Sequence, residues 1–182
     1  ERLVERVPSF ERVRFGNSGT EATMNAIRAA MAATGNETVL KVEGGYHGTH
    51  DTVEVAVDAD GREHEGIPRD VERRVATTPF NDVERLKGTF TEYGGELACF
   101  VLEPMLGAGG AIPADGEFLR AARDLTETHE VPLMFDEVMT LRLGYGGAQE
   151  RYGVTPDLTA AGKLLGGGLP VGVFGGREDL MA

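Results

Sequence analysis

Five groups of polar residues in this 182-residue chain follow strand-like apolar runs, and together they could do chemistry: Ser18-Gly19-Thr20, Tyr46-His47, Glu103, Asp136 and Lys163. In Gly16-Asn17-Ser18-Gly19-Thr20-Glu21, small residues lead into a helical pattern. Such a turn lets backbone N–H groups approach an anion, and the helix dipole and the Ser18 and Thr20 hydroxyls add to the attraction. The same residues would also serve as a plain helix cap. No Gly-Lys-Ser/Thr follows, so the turn is not a P-loop. A carboxylate directly after a buried strand, as in Phe135-Asp136-Glu137-Val138, sits where water is scarce. It needs a cation, a metal or a protonated ring nitrogen, unless it caps a helix or joins a structural ion pair. Two adjacent acids permit a metal, but no His-x-x-His or Cys-x-x-Cys pair accompanies them, and no metal site is expected.

Lys163 stands in Leu158-Thr159-Ala160-Ala161-Gly162-Lys163-Leu164-Leu165-Gly166-Gly167-Gly168, between small apolar residues and a triple glycine. The chain has only two other lysines, Lys41 and Lys87. Most lysines are solvated surface groups. One that is partly buried near positive charge has a lowered pKa and becomes a usable nucleophile, which is the expectation for Lys163. Taken together, the groups match what pyridoxal 5′-phosphate (PLP) requires. Its phosphate needs a helix N-terminus, its aldehyde an amine, and its pyridine nitrogen a carboxylate that keeps it protonated. Tyr46 is the candidate to cover the ring.

The elements that must position these groups read as an α/β domain with a mostly parallel sheet, because short apolar strands alternate with helical stretches. Strands are expected at 13–15, 38–42, 75–77, 97–102, 131–135, 158–161 and 171–174. A helix is expected over 21–33, with Met24, Ile27 and Met31 at helical spacing and Gly35 ending it. A second runs from an Asn81-Asp82 cap to about residue 93, and a third over 117–130 with Phe118, Leu119, Ala122 and Leu125 facing inward. Residues 58–70 and 107–113 read as loops, and the last six residues as the first turn of a helix. In open sheets of this kind ligands gather at the carboxyl ends of parallel strands, which is where the five polar groups fall.

The bulk numbers narrow the partners. The net charge of −12 argues against nucleic acid and against an anionic membrane. No apolar run approaches the ~20 residues of a membrane span. Cys99 is the single cysteine and lies inside Leu97-Ala98-Cys99-Phe100-Val101-Leu102, so it reads as a buried small hydrophobe in a protein of the reducing cytoplasm. Abundant carboxylates with few lysines suit a salt-rich cytoplasm as well as an ordinary acidic protein. The chain opens on Glu1 rather than Met, and both ends read as cut from a longer protein.

Asn17-Ser18-Gly19-Thr20-Glu21-Ala22, Gly45-Tyr46-His47-Gly48, Glu103-Pro104, Phe135-Asp136-Glu137-Val138 and Gly162-Lys163 resemble, in order and over nearly the whole chain, the class III, fold-type I PLP aminotransferases. The resemblance implies that Lys163 carries the cofactor as a Schiff base and shuttles a proton, and that Asp136 pairs with the pyridinium. It further implies that Ser18, Gly19 and Thr20 hold the phosphate, that Tyr46 and Val138 cover the two ring faces, and that Glu103 supports by hydrogen bonding. His47 is left as structural. Residues 1–182 would be part of the PLP-binding large domain, without the N-terminal segment and the C-terminal small domain. The partners implied are a small-molecule amino donor, a keto acceptor and a second subunit, whose threonine completes the phosphate site of a homodimer. The run Gly146-Gly147-Ala148-Gln149 with Tyr152-Gly153-Val154-Thr155-Pro156-Asp157 is similar both to glutamate-1-semialdehyde 2,1-aminomutases and to β-amino-acid aminotransferases such as those for β-phenylalanine. Ala108, where the aminomutases usually place asparagine, and Met139-Thr140-Leu141-Arg142-Leu143, where they have Gly-Phe-Arg, favour the second group. A non-catalytic PLP-fold remnant is the remaining alternative; it would be expected to lack the lysine or the aspartate.

Overall fold

A computed structural model describes residues 1–57 and 66–182. Along the chain run α1 (Arg2–Arg6), β1 (Arg12–Gly16), α2 (Gly19–Thr34), β2 (Thr38–Val42), α3 (Asp51–Glu54), α4 (Arg69–Glu72), β3 (Val75–Thr78) and α5 (Val83–Tyr93). Then come β4 (Leu97–Leu102), the two-residue strands β5 (Met105–Leu106) and β6 (Ile112–Pro113), α6 (Gly116–Thr128), β7 (Leu133–Asp136), α7 (Ala148–Tyr152), β8 (Leu158–Ala161) and β9 (Gly172–Gly176). Seven strands form one sheet in the order β1-β9-β8-β7-β4-β2-β3. The five from β8 to β3 are mutually parallel, and β9 runs against both β8 and β1. The sheet is thus mostly parallel, as expected.

β4 lies in the interior of the sheet, between β7 and β2, and is apolar on both faces. Cys99 and Val101 face α2, in a cluster with Ala22, Ala26, Ile27 and Ala30. Phe100 and Leu102 face α5 and α6, in a cluster with Leu86, Phe90, Phe118 and Leu119. This period of two, with all six β4 residues buried, is the signature of a parallel strand covered on both sides. Cys99 is fully buried, and burial pushes its thiol up to about 12, so it behaves as a hydrophobe.

Helix ends follow local chemistry. Gly35 ends α2 in the left-handed conformation at φ 74° and donates to Met31 O, as a C-terminal glycine should. Asp82 caps α5 through Arg85 N–H. Asn81, expected to share that role, instead binds Pro113 O and Asp115 N–H and ties the β5–β6 hairpin to α6. Of the stretch expected as a loop at 107–113, residues 107–111 are the connection of that hairpin and Ile112–Pro113 form β6. Of the loop expected at 58–70, residues 58–65 lie outside the described residues, and Arg69 and Asp70 open α4. β9 starts one residue later than the strand expected at 171–174 and continues through Gly175 and Gly176. A Cβ at Gly175 would press on Val13 and Phe10, so only glycine lets the edge strand and residue 10 pack there. At the chain's end Met181 N–H reaches Arg177 O, one helical turn.

Candidate active site

β1, β2, β4, β7 and β8 point the same way, so their carboxyl ends share one edge of the sheet. Ser18 to Thr20 follow β1, Tyr46 and His47 follow β2, Glu103 follows β4, Asp136 closes β7 and Lys163 lies just past β8. Topology therefore gathers residues scattered over 145 positions. At this edge a cleft of about 370 Å³, within the usual size of a cofactor site, is lined by Gly19, Thr20, Tyr46, Asp136, Val138 and Lys163. Glu103 also lines it, so seven of the eight expected residues meet there. Ser18 is the eighth, and it does not line the cleft.

Ser18 is a helix cap. Its hydroxyl accepts from Glu21 N–H at 3.1 Å with its backbone extended. Gly19 and Thr20 follow it in the first turn of α2, where N–H groups have no helical carbonyl to receive them and so are free to meet an anion. Two close approaches explain the glycines here. A Cβ on Gly19 would lie 3.0 Å from a Val138 methyl, and Gly48, at φ 102°, packs so tightly on α2 that its Cβ would lie 2.5 Å from Thr20 Oγ1. The helix N-terminus thus packs against both Val138 and the Tyr46 loop beside the cleft. Thr23 strengthens the joint, because its buried hydroxyl donates to His47 O at 2.6 Å.

Asp136 is 3% exposed and accepts two hydrogen bonds, from Val138 N–H at 3.0 Å and from His47 Nδ1 at 2.9 Å. The carboxylate selects the His47 tautomer that carries its proton on Nδ1. His47 Nε2 is left without a partner, buried against Gly45, where a Cβ would lie 3.0 Å away. His47 was read from the sequence as structural; it is the direct support of Asp136. No spacing rule pairs positions 47 and 136, and only its adjacency to Tyr46 hinted at the site. Glu103 is a bracket: Oε2 accepts from Tyr46 N–H at 3.0 Å and Oε1 from Gly107 N–H at 3.1 Å. Burial raises its pKa, opposed by His47 and reinforced by Asp136, while the two N–H donors pull it down.

The lysines reverse the sequence expectation. Lys163 is exposed, at the head of the short 3-10 turn Lys163–Gly166. Its backbone takes the left-handed conformation at φ 43°, unusual for a residue with a side chain. The neighbours that read as an apolar nest include Leu164, itself 47% exposed. The fully buried lysine is Lys41. The adjacent acid Glu137 is also buried, and it accepts from Thr140 Oγ1, Ala148 N–H, Gln149 N–H and Gln149 Nε2, which pins the segment after Val138 to the N-terminus of α7. Among the described residues no group of three His, Cys, Asp or Glu side chains is placed to hold a metal. A larger groove of about 720 Å³, lined by Asn36, Gly95, His129, Asp157 and Arg177, lies at the opposite, amino edge of the strands and holds none of the expected residues. No helix among the described residues is long and apolar enough to cross a membrane.

An amine, a buried carboxylate and a helix N-terminus meet around one cleft at the carboxyl edge of a mostly parallel sheet, the set of groups that a PLP-binding protein of fold-type I needs. Residues 1–182 match the family model for class-III aminotransferases, and the chain belongs to that family. It is 46% identical over 187 residues to a glutamate-1-semialdehyde 2,1-aminomutase of Rhodopirellula baltica, covering all of this chain and 43% of that protein. The crystal structure of an omega-transaminase from Sphaerobacter thermophilus matches with a TM-score of 0.94 at 43% identity, over 99% of this chain and 44% of that one. A β-phenylalanine aminotransferase from Variovorax paradoxus matches with a TM-score of 0.84 at 38% identity, over 98% and 40%. The chain therefore spans less than half the length of these relatives. Enzymes of this family use PLP.

Proposed function

We propose that the cleft binds PLP and that the intact protein uses it to move an amino group from an amino acid, β-amino acids included, to a keto acid. The observation that carries this reading is the single cleft shared by Gly19, Thr20, Tyr46, Asp136, Val138 and Lys163. When bound, PLP supplies an aldehyde that bonds to amines and a cationic ring that takes up electrons freed at a substrate carbon. Lys163 would offer the amine that bonds the aldehyde and would carry a proton between the substrate carbon and the cofactor carbon. Asp136, fixed in place by its bonds from His47 and Val138 N–H, would pair with the ring nitrogen and hold the proton there. The N–H groups of Gly19 and Thr20 hold the phosphate on a turn fixed by Ser18. Tyr46 and Val138, which both line the cleft, would cover the ring, and Glu103 holds the loops that carry Tyr46 and Gly107 in register. In this reading residues 1–182 are part of a large domain in a homodimeric cytoplasmic enzyme whose other partners are small molecules. Purified protein with PLP is expected to show a visible absorbance band, and borohydride followed by peptide mapping to leave a pyridoxyl group on Lys163. A pyridoxyl group on another lysine, or none, refutes the assignment.

The 46% identity to an aminomutase supports a second reading, in which the amino group moves within glutamate-1-semialdehyde. Ala108 favours the first reading, since it offers the cleft a methyl group and no polar side chain. Supplying that semialdehyde without an added amino donor separates the two. Formation of 5-aminolevulinate selects the isomerase, and its absence, with turnover of an added donor, selects the transaminase. Failure of every donor despite a labelled Lys163 selects a non-catalytic PLP protein.

A further inference from the structure

Lys41 is a buried ammonium outside the cleft that the chemistry above does not use. It lies on β2, three residues before the loop that carries Tyr46 and His47, and its side chain is fully enclosed. Its Nζ donates to three carbonyls of that one loop and the helix behind it: Gly45 at 3.0 Å, Val53 at 2.7 Å and Val55 at 2.7 Å. An ammonium has three donors, so all of them are satisfied, and all by backbone. The two ends of the 45–55 segment are thereby drawn to one point, next to a further bond from Gly44 N–H to Ala56 O.

The consequence reaches the cleft through short links. Gly45 is adjacent to Tyr46, whose N–H is held by Glu103, and His47 bonds Asp136 through Nδ1 and Thr23 through its carbonyl. Those three links fix the far side of the loop, and Lys41 fixes the near side. Without the ammonium, three carbonyls would sit beside an apolar stem with no donor, and the loop could regain partners only by moving.

We propose that Lys41 is a positioning residue, whose clamp on the carbonyls of Gly45, Val53 and Val55 sets the place of Tyr46 and His47 and, through His47, the orientation of Asp136. It forms no bond to cofactor or substrate. The proposal rests on the reading of the cleft as a PLP site. Burial lowers the Lys41 pKa to about 8, while the charges of Glu54 and Glu103 raise it. The carbonyl acceptors favour the charged form as well.

The test compares the intact parent protein with Lys41→Met, loaded with PLP. Lys41→Met keeps the apolar stem and deletes the donors. Three quantities are read: the visible circular dichroism of the bound cofactor, kcat against KM, and the site of borohydride labelling. In the variant the dichroic band is expected to weaken or change shape and kcat to fall roughly 10- to 100-fold, the cost of a misplacement of about 1 Å, with KM changed much less. Labelling stays on Lys163. If Lys41→Met fails to fold, Lys41→Gln, which retains two N–H donors, is read instead and is expected to move the same quantities by a smaller factor. A variant that is folded, with dichroism and kcat within about twofold of the parent, overturns the proposal and leaves Lys41 as a core filler. Absence of a Lys163 adduct in the parent itself would sink the underlying PLP reading instead, so the two failures are distinguishable.

Discussion

Replacing Glu137 by glutamine tests whether the cleft wall is held by a buried carboxylate. Each Glu137 oxygen accepts two hydrogen bonds: Oε2 from Thr140 Oγ1 at 3.0 Å and Ala148 N–H at 2.7 Å, and Oε1 from Gln149 N–H and Gln149 Nε2, both at 3.0 Å. No cation is among these partners, so the charge is stabilised by donors and by the N-terminus of α7. Glutamine has one acceptor oxygen. Whichever way the amide turns, its NH₂ faces at least one buried backbone N–H, which costs about 1–3 kcal/mol. Loss of the charge at the helix N-terminus adds roughly 0.3–1 kcal/mol. The expected destabilisation is therefore about 1–4 kcal/mol, a sizeable share of the 5–15 kcal/mol typical of a domain. Urea denaturation reads it as a lower midpoint at unchanged slope. Glu137→Ala is expected to cost more, because all four donors lose their acceptor and a void opens. If the Glu137→Gln midpoint shifts by less than the equivalent of about 0.5 kcal/mol, as at an indifferent surface site, the argument is refuted.

Two other perturbations probe neighbouring features. Gly48→Ala would put a Cβ 2.8 Å from Thr20 Cα at φ 102°, so the Tyr46 loop must lift from α2, at a cost of about 1–3 kcal/mol. A weaker PLP dissociation constant should accompany the lower melting temperature, and a melting temperature matching the parent's would count against the close packing. For His50, burial lowers the folded pKa to about 4, below the ordinary 6.5. Between these values the unfolded chain binds a proton that the folded chain refuses, so stability falls as pH drops from 6.5 towards 4 and is level above 6.5. Partial exposure screens the effect to about 1–2 kcal/mol. His50→Gln should flatten that part of the pH profile in denaturation at pH 7 and pH 5, and an equal slope in parent and variant would exclude His50 as its source.

The strands were legible because burial on both faces leaves a continuous apolar run. β2, β4 and β8 fall at the expected residues, and the β7 strand ends one residue later than expected, on Asp136 itself. The short helices α1, α3, α4 and α7 were not foreseen, since four or five residues carry no full period of 3.6. Motifs disclosed the residues that face the cleft, because cofactor chemistry demands particular types in particular order. They did not disclose His47, Glu137 or Lys41 in their supporting roles. Those roles depend on which loops the sheet brings together, and partners 89 positions apart, such as His47 and Asp136, leave no local pattern.

The two lysines show why scarcity and burial were a poor guide to reactivity even where the assignment they suggested has the geometry behind it. A lysine that bonds reversibly to a carbonyl compound must be able to lose a proton, reach the cleft and swing away when a substrate amine replaces it. Lys41 meets only the first condition. Its pKa is lowered to about 8, yet all its donors are bound to backbone carbonyls and it does not border the cleft. Lys163 borders the cleft, is exposed, and sits on a turn between glycines, where a long side chain can change rotamer without disturbing a core. On this argument a borohydride adduct at Lys163 should require PLP saturation of the intact protein, and Lys41 should stay unlabelled at any PLP concentration that leaves the fold intact.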